Sequence, residues 1–265
     1  MKILCKAALL VLFFILNACQ SYRQVPYIQN SEGFIDNRQS HILFDVRIAP
    51  KDLLTITVNS TDPSLAAPFN LYTTTPAHQN YQNVFLYSQP TYLNYLVDNQ
   101  GCIEYPVLGK LQLMGLTTRE SEALIKERIK PFLKEEPIVS VRILNFKISV
   151  VGEVNSPNSF SVLNEKINVF EALAMAGDMT IYGKRNDVKI VREDSLGRQS
   201  IITLDLNDPQ IVLSPNYYLQ QNDIVYVTPN KVKSRNSSVG NSTTIWFSIA
   251  TTLISLTSLI ITIIK

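Results

Sequence analysis

The sequence predicts an α+β fold in two soluble units, followed by a C-terminal transmembrane α-helix. Three observations carry this reading. Short runs of alternating apolar and polar residues recur between His41 and Thr228, as half-buried strands require. Two N-cap patterns interrupt them, Thr117 with Glu120 and Asn168 with Glu171, each opening a helical stretch. Finally, residues 245–264 carry no charge. At about 1.5 Å rise per residue that run spans roughly 30 Å, the thickness of a bilayer's hydrocarbon core.

The chain begins with a leader pattern. Lys2 and Lys6 supply positive charge, and Ala7 to Leu16 is an uncharged apolar run of signal-peptide length. Leu16-Asn17-Ala18-Cys19 then reads as a lipobox, with a small residue before the cysteine. Its thiolate is the nucleophile that accepts the lipid. Residues 1–18 are therefore expected to be a lipoprotein signal peptide and Cys19 the lipidation site. An uncleaved anchor, or an ordinary signal with a chance cysteine, is the competing reading. Gln20, not aspartate, follows Cys19, which favours outer-membrane sorting where that rule holds.

Composition narrows the rest. Residues 1–18 contain two of the 24 basic residues and none of the 22 acidic ones, so the mature chain has a net charge near zero. With no basic cluster, nucleic acid is excluded as a partner class. Cys5 leaves with the signal and Cys19 is acylated, so Cys102 is left without an intramolecular disulfide partner.

Residues 19–40 are polar and read as a tether to the first domain, residues 41–144. In that domain Phe44, Val46 and Ile48 alternate with polar residues, then Leu54, Ile56 and Val58 after the turn Ala49-Pro50-Lys51-Asp52. Residues 60–93 are nearly uncharged and aperiodic, an excursion loop outside the core. Tyr95–Val97 and Cys102–Tyr105 read as a hairpin around Asp98–Gly101, followed by a strand at 110–114. A helix from Thr117 is limited by Pro131, and a strand covers 138–144. The second domain, residues 145–229, opens with Phe146, Ile148 and Val150, has a helix capped by Asn168 and ending at Gly177, and continues in strands at 188–192, 201–206 and 223–228. Several short strands around one helix fit a β-grasp-like module. Residues 230–243 read as a polar, basic linker before the helix at 244–265.

At this level the motif residues are structural. Gly101, Gly109, Gly152 and Gly177 suit turns or caps. Asp98 and Asp223 suit turns in which the carboxylate bonds its own backbone, with direct contact to a ligand as the competing role.

These motifs together resemble the outer-membrane polysaccharide export lipoprotein family, in its short form with an export domain and one SLBB (soluble-ligand-binding β-grasp) domain. The resemblance rests on Val97-Asp98-x-x-Gly101-x-Ile103-x-x-Pro106-x-Leu108-Gly109 and Leu113-x-Gly115-Leu116-Thr117. It rests also on Pro50-Lys51-Asp52, Val151-Gly152-Glu153-Val154-x-x-Pro157, Ala172-Leu173-Ala174-x-Ala176-Gly177 and Gln221-Asn222-Asp223. Lys51, Asn158 and Asp178 stand where the family favours glycine, and Gln221-Asn222 where it favours proline-glycine. Asn158 is expected to supply the turn's positive φ.

The resemblance implies a ring of subunits, an octamer in well-known relatives, with soluble domains in the periplasm. It also implies polysaccharide as cargo and an inner-membrane co-polymerase or tyrosine kinase as partner. In the last segment Thr244, Ser248, Thr251, Thr252, Ser255, Ser258 and Thr262 fall on one helical stripe, while Thr257 breaks the pattern. The stripe is read either as the lining of an oligomeric α-helical pore or as the packing face of a simple anchor. The corresponding alternative function is a periplasmic scaffold that binds glycan or a partner protein.

Enzymatic readings lack support. The two histidines, His41 and His78, have no second His or Cys at metal-ligand spacing. There is no G-x-S-x-G, P-loop or dinucleotide fingerprint. The carboxylate pairs Glu135-Glu136 and Glu193-Asp194 fall in expected surface turns, so a glycan hydrolase has little to stand on. No metal or cofactor is expected.

Overall fold

The computed structural model describes residues 25–32, 44–73, 91–194 and 197–238, together with 245, 246, 248, 249, 251, 252, 255, 256 and 259. Residues 1–24, with the expected leader and Cys19, lie outside the described residues, as do His41, His78, Thr244, Ser258 and Thr262.

The first domain is built on β1 (Leu53–Asn59), the centre of a three-stranded antiparallel sheet. It lies between β4 (Tyr95–Leu96) and β7 (Ile138–Ile143). Alternation decides which face is buried. Leu54, Ile56 and Val58 point inward with Val139, Val141 and Ile143 of the partner strand. Helix α2 (Thr118–Ile129) closes that face with Ile125 and Ile129. Its capping box is formed: Thr117 Oγ1 accepts the Glu120 N–H at 3.1 Å, and Glu120 Oε2 accepts the Thr117 N–H at 2.7 Å.

Two expectations are corrected here. Tyr95–Leu96 does not form a hairpin with β5 (Cys102–Tyr105). It pairs with β1, while β5 pairs with β6 (Gly109–Gln112). Asp98–Gly101 is still a turn, but it carries the chain from one sheet to another. The excursion at 60–93 is also anchored at both described ends. Asp62 caps α1 (Pro63–Ala66), a 3-10 turn follows at Ala67–Phe69, and Ala66 and Phe69 enter the core. The Asn70 side chain bonds both backbone groups of Val58, so the segment returns against β1. It ends in the two-residue pair β2 (Tyr72–Thr73) and β3 (Thr91–Tyr92).

The second domain is a five-stranded sheet in the order β11-β10-β12-β8-β9. Its strands are β8 (Lys147–Gly152), β9 (Asn158–Ser161), β10 (Gly183–Glu193), β11 (Gln199–Leu204) and β12 (Ile224–Pro229). Only β8 and β12 pair in parallel; the other neighbours are antiparallel. Helix α3 (Val169–Met175) covers one face with Ala172 and Leu173, under an Asn168–Glu171 capping box. Strand β9 was not expected, because Asn158 reads as a turn residue. Asn158 instead pairs with Val150 and has no positive φ. Strand β10 begins five residues before Val188, at Gly183.

The chain's ends differ from expectation as well. Within the segment read as a tether to the first domain, residues 25–32 pack against the second. Ile28 and Gln29 donate backbone N–H groups to the Leu206 and Asn207 carbonyls at 3.0 and 2.7 Å. Tyr27 donates its hydroxyl to Asp178, meets Phe170 edge-on, and lies under the Arg185 guanidinium. In the presumed linker, Lys231–Ser238 is helical (α4). Every described position between 245 and 259 is helical. Among the described residues no helix is long and apolar enough to cross a membrane.

Candidate functional site

The most specific polar architecture lies where the two domains meet. It is made of the same turn used twice. Asp52 and Asp223 each sit immediately before a central strand and are fully buried. Asp52 Oδ2 accepts the Ala49 N–H at 2.8 Å, and Asp223 Oδ2 accepts the Gln220 N–H at 2.8 Å. In both turns the aspartate N–H returns to the carbonyl three residues earlier, at 3.2 Å. The residue before each aspartate is left-handed, Lys51 with φ 72° and Asn222 with φ 64°. These are the positions where glycine was the expected residue.

Asn145 and Gln221 bolt the two turns together. Asn145 Oδ1 accepts the Leu53 N–H at 2.9 Å, and its amide donates to the Lys51 carbonyl at 3.1 Å. Gln221 Oε1 accepts the Lys147 N–H at 2.8 Å while its amide donates to the Asn145 carbonyl at 2.8 Å. Buried apolar residues of both domains form one connected cluster around this junction.

The two carboxylates are treated differently. Arg192 donates to Asp223 through Nε at 3.0 and 3.2 Å and through Nη2 at 2.7 Å, a forked charge-assisted contact. Asp52 has no cation among the described residues. Its Oδ1 is buried without a hydrogen bond among the described residues, and burial pushes its pKa up to about 6 against the opposing pull of the Ala49 N–H and the Gln221 side chain. Beside this junction a groove of about 750 Å³ separates the domains, walled by Phe44, Arg47 and Arg119 on one side and Glu193 and Gln221 on the other.

The remaining motif residues occupy turns. Asp98 Oδ1 accepts the Gln100 and Cys102 N–H groups, both at 2.8 Å, and the Cys102 contact first, with Lys110 alongside, lowers its pKa. Gly101, at φ +79°, leaves no room for a Cβ, which would lie 2.2 Å from Met114 Cβ. Gly152 meets the Val227 carbonyl in the same way. Pro106 accepts the Leu108 N–H in the β5–β6 turn, before Gly109. Glu153 pairs with Lys233 of α4, and Gly177 ends α3 beside a left-handed Asp178. Cys102 is a buried free thiol. None of these residues converges on a common reaction centre. Among the described residues no group of His, Cys, Asp and Glu is placed to hold a metal ion.

On the C-terminal stripe, Thr251 and Thr252 donate to the Ser248 carbonyl and Ser255 to the Thr251 carbonyl. Their donors are used within the helix, and their oxygens remain acceptors. Asp52, Asn145, Arg192 and Gln221 escaped the sequence reading as a set. The repeated spacing of Pro50-Lys51-Asp52-Leu53-Leu54 and Gln221-Asn222-Asp223-Ile224-Val225 was the available signal.

Residues 43–144 match the family described as polysaccharide biosynthesis/export protein, and residues 146–227 match the SLBB domain. Residues 43–144 are thus a polysaccharide biosynthesis/export domain and residues 146–227 an SLBB domain, in direct succession. Among its relatives is the EPS I polysaccharide export outer membrane protein EpsA of Ralstonia solanacearum, 28% identical over 189 residues, which are 70% of this chain and 48% of that protein. The protein of the same name from Ralstonia nicotianae is 28% identical over 185 residues, 68% of this chain and 46% of the relative. The chain thus spans about half the length of the relatives it matches.

Proposed function

We propose that this chain is a subunit of an outer-membrane conduit that exports a capsular or extracellular polysaccharide. The observation that carries this reading is the succession of the two matched domains, 43–144 and then 146–227, in a chain similar to named export proteins. Cys19 bears the lipid, and the soluble domains stand in the periplasm as a closed homo-oligomeric ring, possible only with a head-to-tail interface. An inner-membrane co-polymerase or tyrosine kinase delivers the polymer.

The C-terminal helices of neighbouring subunits cross the membrane together and enclose the exit. Thr244, Ser248, Thr251, Thr252, Ser255, Ser258 and Thr262 face water there. With several donors already used within the helix, such a wall presents mainly acceptors. Polymer hydroxyls bond to it weakly and replaceably, as transport without trapping requires. The exposed Trp246 and Leu256, which fall off the hydroxyl stripe, suit the lipid side.

Cysteine scanning in the assembled protein tests this. Cysteines at 255 and 258 should react with a hydrophilic thiol reagent faster than cysteines at 256 and 260. Equal rates would remove the pore. Replacing Cys19→Ser should impair assembly and export; normal export would show the lipid to be dispensable.

A further inference from the structure

The excursion at 60–93 carries a feature that the export motif does not use. Tyr72 and Tyr92 are directly opposed in the β2–β3 pair, so their side chains emerge on the same face. They are 46% and 44% exposed. The rings border a concavity of about 210 Å³ whose wall includes Asn59, Ser60 and Pro63. Asn70 at the same wall spends its side chain on the Val58 and Ala66 backbone, which holds the β2–β3 pair against β1, and Asn59 and Ser60 add polar residues to the lining. Among the described residues no charged one lines the concavity.

We propose that this Tyr72–Tyr92 pocket is a subsite for one uncharged sugar ring of the exported chain, an inference that rests on the export reading. A pyranose has a C–H face that packs on an aromatic ring and an edge of hydroxyls that seeks amide and hydroxyl partners. The pocket supplies both. Tyrosine offers an apolar body with a polar tip, so its ring can stack while its hydroxyl reaches water or sugar. The volume is below the roughly 300–1,000 Å³ of a site for drug-sized molecules, so it fits one ring and not a long oligomer. The lack of charge disfavours an ionic ligand and suits a neutral residue. Open on one side and shallow, the subsite holds its ligand loosely, compatible with a polymer in transit.

The test is affinity electrophoresis of the full-length protein in mild detergent, through native gels cast with exopolysaccharide purified from the producing cells. The parent protein should be retarded. Tyr72→Ala/Tyr92→Ala should weaken the apparent affinity about ten-fold, near the loss of one or two stacked rings. Tyr72→Phe/Tyr92→Phe should retain most of it, because the ring and not the hydroxyl carries the stacking. Neither ring being part of the buried core, thermal unfolding of the Ala pair should stay close to the parent's and exclude misfolding as the cause. Retardation of the Ala pair equal to the parent's, or no retardation of the parent, would overturn the subsite. In a deletion strain the parent chain should restore surface polysaccharide. Restoration without Tyr-dependent retardation would sink the subsite alone, whereas failure of the parent to restore export would sink the export reading.

Discussion

At Asp52 and at Asp223 the chain makes one turn twice, with the same carboxylate-to-backbone bond, the same return bond and the same left-handed residue in front. The environments differ. Asp223 meets a forked Arg192 within its own domain, whereas Asp52 is buried with no cation among the described residues, at the seam between domains, where Gln221 from the second turn approaches it. The comparison teaches that the carboxylate's first task is local, fixing the turn, and that the charge left over is handled separately. Where a cation is at hand the turn is locked. At the junction it carries an electrostatic penalty that varies with pH.

The largest effect should come from breaking the locked turn. Asp223→Ala leaves the partly buried Arg192 beside uncharged acceptors, and loss of one partner of such a pair costs about 3–5 kcal/mol. Urea unfolding followed by far-ultraviolet circular dichroism should report it. A loss under about 1 kcal/mol would mean that the ion pair contributes little beyond the turn.

At Asp52 the sign reverses. Its folded pKa lies above the unfolded value of about 3.9, so the folded state holds the proton more tightly. Below about pH 4 both states are protonated and no penalty exists. As pH rises through the window from about 4 to 6 the parent loses stability, and above that the deficit is constant at about 2–3 kcal/mol. Asp52→Asn keeps an acceptor for the Ala49 N–H and should remove that slope, gaining relative to the parent between pH 4 and 7. Parallel pH profiles for the two proteins would refute the penalty.

Smaller effects compare the left-handed residues themselves. Lys51→Gly should stabilise by about 1 kcal/mol, since a lysine Cβ is costly at positive φ. Asn222→Gly should change stability by only a few tenths, because asparagine tolerates that conformation. Equal gains at the two sites would place the strain elsewhere in the turns.

Much of this architecture was legible where its cause is local. The alternation of Leu54, Ile56 and Val58 and both capping boxes depend on residues within a few positions of one another. What escaped depends on distant partners. Tyr95–Leu96 is too short to declare whether it pairs with β5 or β1, and the pairing is decided by the sheet that is already there. Nothing near Tyr27 announces that its partners are Asp178, Arg185 and Phe170. Asp178 departs from the expected glycine and yet takes a left-handed φ of 71° while accepting the Tyr27 hydroxyl. Arg192 and Asp223 stand 31 residues apart, and only the β10–β12 pairing brings them together. The polysaccharide export motifs were readable because they are turns; the concavity at Tyr72 and Tyr92 was not, because it exists only once the excursion is folded back on β1.

The central claim is that the chain moves polysaccharide out of the periplasm. Deleting its gene and measuring polysaccharide on the cell surface and in the periplasm addresses it most directly. Surface polymer should fall sharply while polymer accumulates behind the outer membrane, and the intact chain should reverse both. Normal surface polymer in the deletion strain, with no periplasmic accumulation, would contradict the account.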